Sequence, residues 1–214
     1  MKSSNRGFSL VELIIVIAIM AILSAAIAPA LIRYINKSRK ADDIAAADTI
    51  GTTLNAAITS DEDLYDFIMI ATSSTGNNLN DSQIRNGWIR VIGYCNTPRN
   101  RYDMKFHAIN TAGVTADQKK SFEDGMNEYL GTGIPRLKFY LFDYLDEWII
   151  CADRDGKLYV YIGSGMNDDR YHMKPKTQGG RPCINNANRY CYQVWPEVDP
   201  AYNKLNTPKE AKSN

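Results

Sequence analysis

Apolar residues follow two patterns in the N-terminal part of the chain. From Phe8 to Ile32 they run on almost without a break, FSLVELIIVIAIMAILSAAIAPALI. From Ile44 they instead step by three or four, through Ala47, Gly51, Leu54 and Ile58, with Ile50 and Ala57 widening the stripe. The unbroken pattern suits a helix with one apolar solvent on every side, and the stepped pattern suits a helix with one buried face. Together they predict a single helix from about Ser9 to Thr59, apolar all round in its first half and packed on a sheet in its second. Asp42, Asp43, Asp48, Thr49 and Asn55 mostly fall off the stripe. The alternative is a break after the apolar half, followed by a separate surface helix.

Beyond that helix the pattern shortens. Asp61 to Met69 is compatible with more helix, and SSTGNNLNDS, Ser73 to Ser82, has loop composition. Trp88 to Tyr94, Tyr102 to Ile109 and Arg136 to Phe142 read as strands. Between them, Thr115 and Gln118 form a capping-box pattern before a helix that ends at Leu130, with Gly131 following. Phe122, Met126 and Tyr129 share its predicted inner face. Glu147 to Ala152 and Lys157 to Gly163 read as a hairpin turned by Asp153-Arg154-Asp155-Gly156. That turn lacks the further ligands and the downstream Glu of a calcium loop. Lys204 to Asn214 reads as a mobile tail.

Composition narrows the functional classes. The chain has 214 residues, with Lys+Arg 25 against Asp+Glu 24. That size allows one domain with an appendage, and that balance lacks the basic excess of a nucleic-acid binder. The two histidines, His107 and His172, lie far apart, so no HExxH site exists. There is no phosphate-loop motif; Gly163-Ser164-Gly165 is too short for a nucleophile elbow, and Gly131-Thr132-Gly133 lacks the third glycine of a dinucleotide loop. These readings lean away from an enzyme, and no cofactor or metal is expected. Trp88, Trp148, Trp195 and the 13 tyrosines leave open a sugar-binding surface on an anchored protein.

The N-terminal segment carries more chemistry. The charge-free run from Leu13 to Ile32 is about 30 Å long as a helix, enough to span a bilayer. Lys2 and Arg6 precede it, and Ala28-Pro29-Ala30 resembles a signal-peptidase site, but the run is about twice a signal peptide's usual apolar length. A plain membrane anchor explains the length and leaves Glu12, a carboxylate near the start of the apolar stretch, without a purpose. Pro29 removes a helix hydrogen bond and predicts a bend.

The stretch Gly7-Phe8-Ser9-Leu10-Val11-Glu12-Leu13 resembles the prepilin-peptidase site of type IV pilins and pseudopilins. The resemblance covers roughly residues 1–60, Pro29 included. It implies cleavage after Gly7 by a membrane peptidase, N-methylation of Phe8, and pairing of Glu12 with the Phe8 amine of a neighbouring subunit in a filament. It implies an α+β pilin fold, a long N-terminal helix packed on an antiparallel sheet. The expected divisions are a leader at 1–7, a transmembrane or filament-core helix at 8–32, its amphipathic continuation at 33–60, a head at 61–203 and a tail at 204–214. The implied partners are identical or related subunits, the peptidase/methyltransferase, the pilus assembly machinery and the membrane, with no nucleic acid for the isolated subunit. The head would be exported and the leader cytoplasmic, and the filament extracellular. A pseudopilin of a secretion or DNA-uptake machine shares the same N-terminus. One pattern runs against this orientation. Arg33, Lys37, Arg39 and Lys40 outnumber Lys2 and Arg6 across the apolar run, opposite to the usual placement of cations on the cytoplasmic side.

The four cysteines, Cys95, Cys151, Cys183 and Cys191, form no CxxC, and an even count in an exported domain favours disulfides. Of three possible pairings, Cys183–Cys191 is favoured because it closes a short C-terminal loop. Cys95–Cys151 would then join two strands. The resemblance implies such a cysteine-bounded loop.

Overall fold

A computed structural model describes residues 8–73, 89–96, 105–109, 113–131, 134–140, 145–163, 172–173, 183–184 and 189–208. Helix α1 spans Leu10–Ser60 and continues through Pro29. Asp61 ends it by adopting an extended conformation (φ −128°, ψ 111°), and its carboxylate then accepts the N–H groups of Asp63 and Leu64 to start α2, Glu62–Thr72. The expected extension past Asp61 is therefore a second helix. The capping box expected at Thr115 is present. Gln118 N–H donates to the Thr115 hydroxyl, the Gln118 side chain accepts from Thr115 N–H, and α3 runs Ala116–Leu130.

The strands are β1 (Ile89–Asn96), β2 (Phe106–Ala108), β3 (Glu147–Ala152), β4 (Leu158–Gly163), β5 (His172–Met173), β6 (Cys183–Ile184), β7 (Arg189–Tyr190) and β8 (Tyr192–Trp195). All pair antiparallel, in the order β7-β6-β5-β1-β3-β4-β8, with β2 also on β1. A short helix, α4 (Pro200–Lys204), follows. The architecture is α+β, a long N-terminal helix against an antiparallel sheet.

The β3–β4 hairpin forms where the Asp-Gly turn places it. Gly156 takes φ 78°, and the Asp153 carboxylate accepts the N–H groups of Asp155 and Lys157 and the Tyr159 hydroxyl. Those bonds commit both carboxylate oxygens to the turn. The edge of β2 is closed by α3. Asn127 exchanges two hydrogen bonds with the backbone of Phe106 (2.7 and 2.8 Å), and Glu123 accepts from Ala108 N–H. A side chain thus stands in for the next strand, which keeps an exposed edge from pairing with another chain.

The main core lies between the helices and one face of the sheet. Ala47, Ile50, Leu54 and Ala57 of α1 meet Ile150, Val160, Ile162 and Val194, while Phe67 of α2 stacks on Phe122 of α3 at 3.9 Å. Trp195 lies so close over α1 that a Cβ at Gly51 would overlap its indole. Trp148 is buried with its indole N–H on Pro135 O. Two of the three tryptophans thus face the core, which removes them from any sugar-binding surface; Trp88 lies outside the described residues. A smaller cluster on the other face of the sheet holds Val91, Ile149, Cys151, Tyr161 and Cys191.

Several expectations are corrected. Cys95 belongs to the helix-facing core and Cys151 to the opposite cluster, so the two strands carry them on different faces. In register Cys95 stands opposite Trp148 and Cys151 opposite Val91. The Cys95–Cys151 disulfide is not formed; both are buried thiols whose pKa burial pushes up. Cys191 is buried on the second face, and the Cys183–Cys191 pairing rests on a Cys183 side chain outside the described residues. The strand expected over Arg136 to Phe142 is irregular backbone through residue 140, because a helix carboxylate rather than a strand partner takes its N–H groups. Tyr129 is not an inner residue of α3: it is 42% exposed, and its hydroxyl meets Ser60 Oγ at 3.0 Å. The segment expected as a tail packs on the head through residue 208: α4 ends within it at Lys204, and Leu205 is buried.

Candidate functional site

The site begins at the first turn of α1. Ser9 is the N-cap (φ −72°, ψ 142°), with its hydroxyl accepting from the helix start and its own N–H donating to Glu12 Oε2 at 2.9 Å. This reciprocal cap fixes the carboxylate one turn from the chain's Phe8, which is 83% exposed. An ionised carboxylate has lone pairs for more donors than this one N–H, so Glu12 retains capacity for an ammonium partner. The local structure therefore gives Glu12 an intrachain role that the sequence pattern did not single out. Gly7 lies outside the described residues.

From Leu10 to Ile35 the large apolar side chains of α1 are exposed. The segment is long and apolar enough to cross a membrane, by length and composition. An uncovered apolar surface of this extent marks contact with lipid or with other protein. Pro29 sits inside the helix near the far end of that segment.

The helix then enters the head through a polar neck. Asn36 donates to Asn206 O at 2.8 Å, and Lys40 donates to Asn203 O and Leu205 O at 2.6 and 2.7 Å. Asp43, fully buried, accepts Lys138 N–H (2.6 Å), Phe139 N–H (2.8 Å) and the Tyr202 hydroxyl (3.1 Å). Burial raises its pKa from 3.8 to about 6, against the lowering effect of those three donors. One helical face thus ties both an irregular segment and the C-terminal residues to the base of the head. The sequence reading placed Asp43 off the buried stripe; it lies on it.

His107 is in β2, with Nδ1 at 3.4 Å from Glu123 Oε1 and its ring beside Tyr94. Among the described residues, no group of three His, Cys, Asp or Glu is placed to hold a metal ion.

Residues 2–28, which run into this exposed helix, match the model of the prokaryotic N-terminal methylation motif. The chain begins with a prepilin-type motif. That motif contains Gly7, Phe8 and Glu12, and its helical part is the uncovered half of α1. Over 48 residues the chain is 48% identical to the type IV major fimbrial protein FimA of Dichelobacter nodosus and to a fimbrial protein of the same organism. The aligned stretch is 22% of this chain and 30% of each relative, so the chain matches less than a third of the length of these curated relatives. No solved structure matches the chain. Of the residues singled out in the sequence, the structure brings Phe8 and Glu12 to one helix end and puts Cys95 and Cys151 on opposite faces of the sheet. The neck residues Asn36, Lys40 and Asp43 were missed. A signal existed, since 36, 40, 43, 47, 50 and 54 continue the three-and-four spacing of the apolar stripe backwards through polar residues.

Proposed function

We propose that the chain is the precursor of a type IV pilin, a structural subunit with no catalytic site of its own. The observation that carries this reading is the position of the prepilin-type motif, at the start of a helix whose first half is apolar and uncovered. In this reading residues 1–7 are a leader removed after Gly7, Phe8 becomes the N-methylated N-terminus, and residues 8–32 span the membrane and later form the filament core. Residues 33–60 carry the head, which occupies 61–203 with residues 204–208 docked beneath it. The leader faces the cytoplasm, the head is exported, and the assembled filament is extracellular.

Cleavage has an electrostatic consequence. It converts the Phe8 amide into an amine one residue before the cap. A charged amine inside a bundle of apolar helices is costly unless paired, and Glu12 supplies the opposite charge. Pairing Glu12 of one subunit with the Phe8 amine of the next neutralises both groups and sets the axial register. A prepilin peptidase/methyltransferase and the assembly machinery are the partners this requires.

Mass spectrometry of the N-terminal peptide tests the reading. A peptide starting at methylated Phe8, abundant in sheared surface material, is the expected result; the same peptide confined to the envelope would place the chain among pseudopilins, and a chain starting at Met1 or Leu31 would overturn both. Glu12→Ala should be cleaved normally and assemble poorly beside wild-type subunits. Normal filaments built from that variant alone would sink the pairing.

A further inference from the structure

The neck carries a second feature. Arg33, Lys37, Arg39 and Lys40 follow directly on the apolar run, with no acidic residue among positions 33–40. Arg33, Lys37 and Arg39 are exposed and make no salt bridge among the described residues. Lys204, on the docked C-terminal segment, is also exposed. Arg33 and Lys37 line a recess of about 390 Å³ with Lys40, Ile44, Asn203 and Leu205. Its cations are on one side of the helix, and its apolar lining comes from Ile44 and Leu205.

The spacing places this recess at a definite depth. The polar headgroup layer is about 5–8 Å thick on each side of the hydrocarbon. Arg33 is the first residue past the apolar run, and Lys37 is about 6 Å further along the helix axis. Both fall in that layer when the run spans the bilayer, and the exposed Tyr34 is an aromatic residue suited to the same boundary. The cations also stand on the flank that the usual charge asymmetry leaves poor in cations. A bare cation cluster there works against insertion, whereas a cluster that engages phosphates does not.

We infer that the recess between α1 and the docked C-terminal segment binds the phosphate of anionic phospholipid in the membrane the helix spans, holding the head at the bilayer surface before assembly. Arg33 and Lys37 supply the charge at the recess, and Arg39, on the other side of the helix, adds to the local excess of cations. Juxtamembrane cations attract an anionic surface by about fivefold in affinity each. The inference rests on the membrane-spanning reading above.

The test uses the full chain in neutral detergent. Native mass spectrometry with equal phosphatidylglycerol and phosphatidylcholine counts retained lipid, and flotation with phosphatidylcholine vesicles tests membrane association alone. The expected result is flotation on phosphatidylcholine, with phosphatidylglycerol retained at least about tenfold over phosphatidylcholine at about 0.15 M salt. Arg33→Gln, Lys37→Gln and Arg39→Gln combined should bring that ratio near parity without changing flotation. Lys120→Gln, Arg154→Gln and Lys157→Gln combined, which remove three exposed head cations, should leave it unchanged. Parity in the wild type, or equal loss in the two triple variants, overturns the lipid site while the membrane reading stands. Failure to float on phosphatidylcholine vesicles overturns the membrane reading, and the lipid site with it.

Discussion

From Leu10 to Ile35 the apolar side chains of α1 stand uncovered, Ile22 at 70% exposure, whereas from Ala47 to Ile58 the same kinds of residue are sealed, Leu54 at 0%. Both stretches belong to one hydrogen-bonded helix. What differs is the back face. In the second half Thr49, Thr52, Thr59 and Ser60 turn outward and donate to carbonyls four residues earlier, giving the helix a wettable side. From Leu13 to Ile32 the only polar side chain is Ser24. A helix with one apolar side needs a head to pack on, and a helix apolar on every side needs surroundings that are apolar on every side.

The contrast can be broken from either end. Leu54→Asp buries a carboxylate in the core and removes a fully buried leucine, so the head should lose at least about 4 kcal/mol and fail to melt cooperatively in mild detergent. Its retention in carbonate-washed membranes should be unchanged. The mirror substitution, Ile17→Asp, adds a charge within the span at a cost of up to about 3 kcal/mol and should reduce carbonate-resistant insertion. Its head should melt within about 0.5 kcal/mol of wild type, as for a substitution remote from the packed core. A shift of the head's melting by Ile17→Asp would show that the halves are not independent.

A pH series sharpens the boundary between them. Asp43 holds its proton more tightly folded (about 6) than unfolded (3.8). Between those values the folded state binds more protons, so its stability falls as pH rises from about 4 to 6. The size of the effect is about 3 kcal/mol at most. Thermal melts should show that slope in the wild type and not in Asp43→Asn, and an equal slope in both would assign it to other groups. The smallest effect is at Gly51. Alanine there meets the Trp195 ring and should cost about 2 kcal/mol as the ring is displaced, read as a lower melting temperature with insertion unaffected.

Local signals were legible wherever the partner is near in sequence. Ser9 and Thr115 marked helix starts because caps act within one turn, and Asp153–Gly156 marked a hairpin because the turn is its own cause. The prepilin-type motif was legible because the apolar run needs no tertiary partner to be recognised. Asp43 was not, since Asp42 beside it is chemically identical and exposed, and the donors that distinguish Asp43 lie 95 to 159 positions away. The same distance hid the irregular backbone of 134–140, whose apolar residues resemble a strand while their N–H groups answer to a helix. The cysteines misled because spacing says nothing about which face of a sheet a side chain occupies.

The neck has a consequence for the order in which the head is completed. Lys40 closes on carbonyls 163 and 165 positions later, and Asn36 on one 170 later. Contacts that span nearly the whole chain carry the largest loop-closure cost and form late in folding. They also need residues synthesised long after α1 has left the ribosome. A chain that stops short of Pro200 folds, if at all, with Lys40 unclamped and the carboxylate beside it lacking its tyrosine. The base of the head thereby records that synthesis has passed Asn206, and it does so at the point where helix and head are joined.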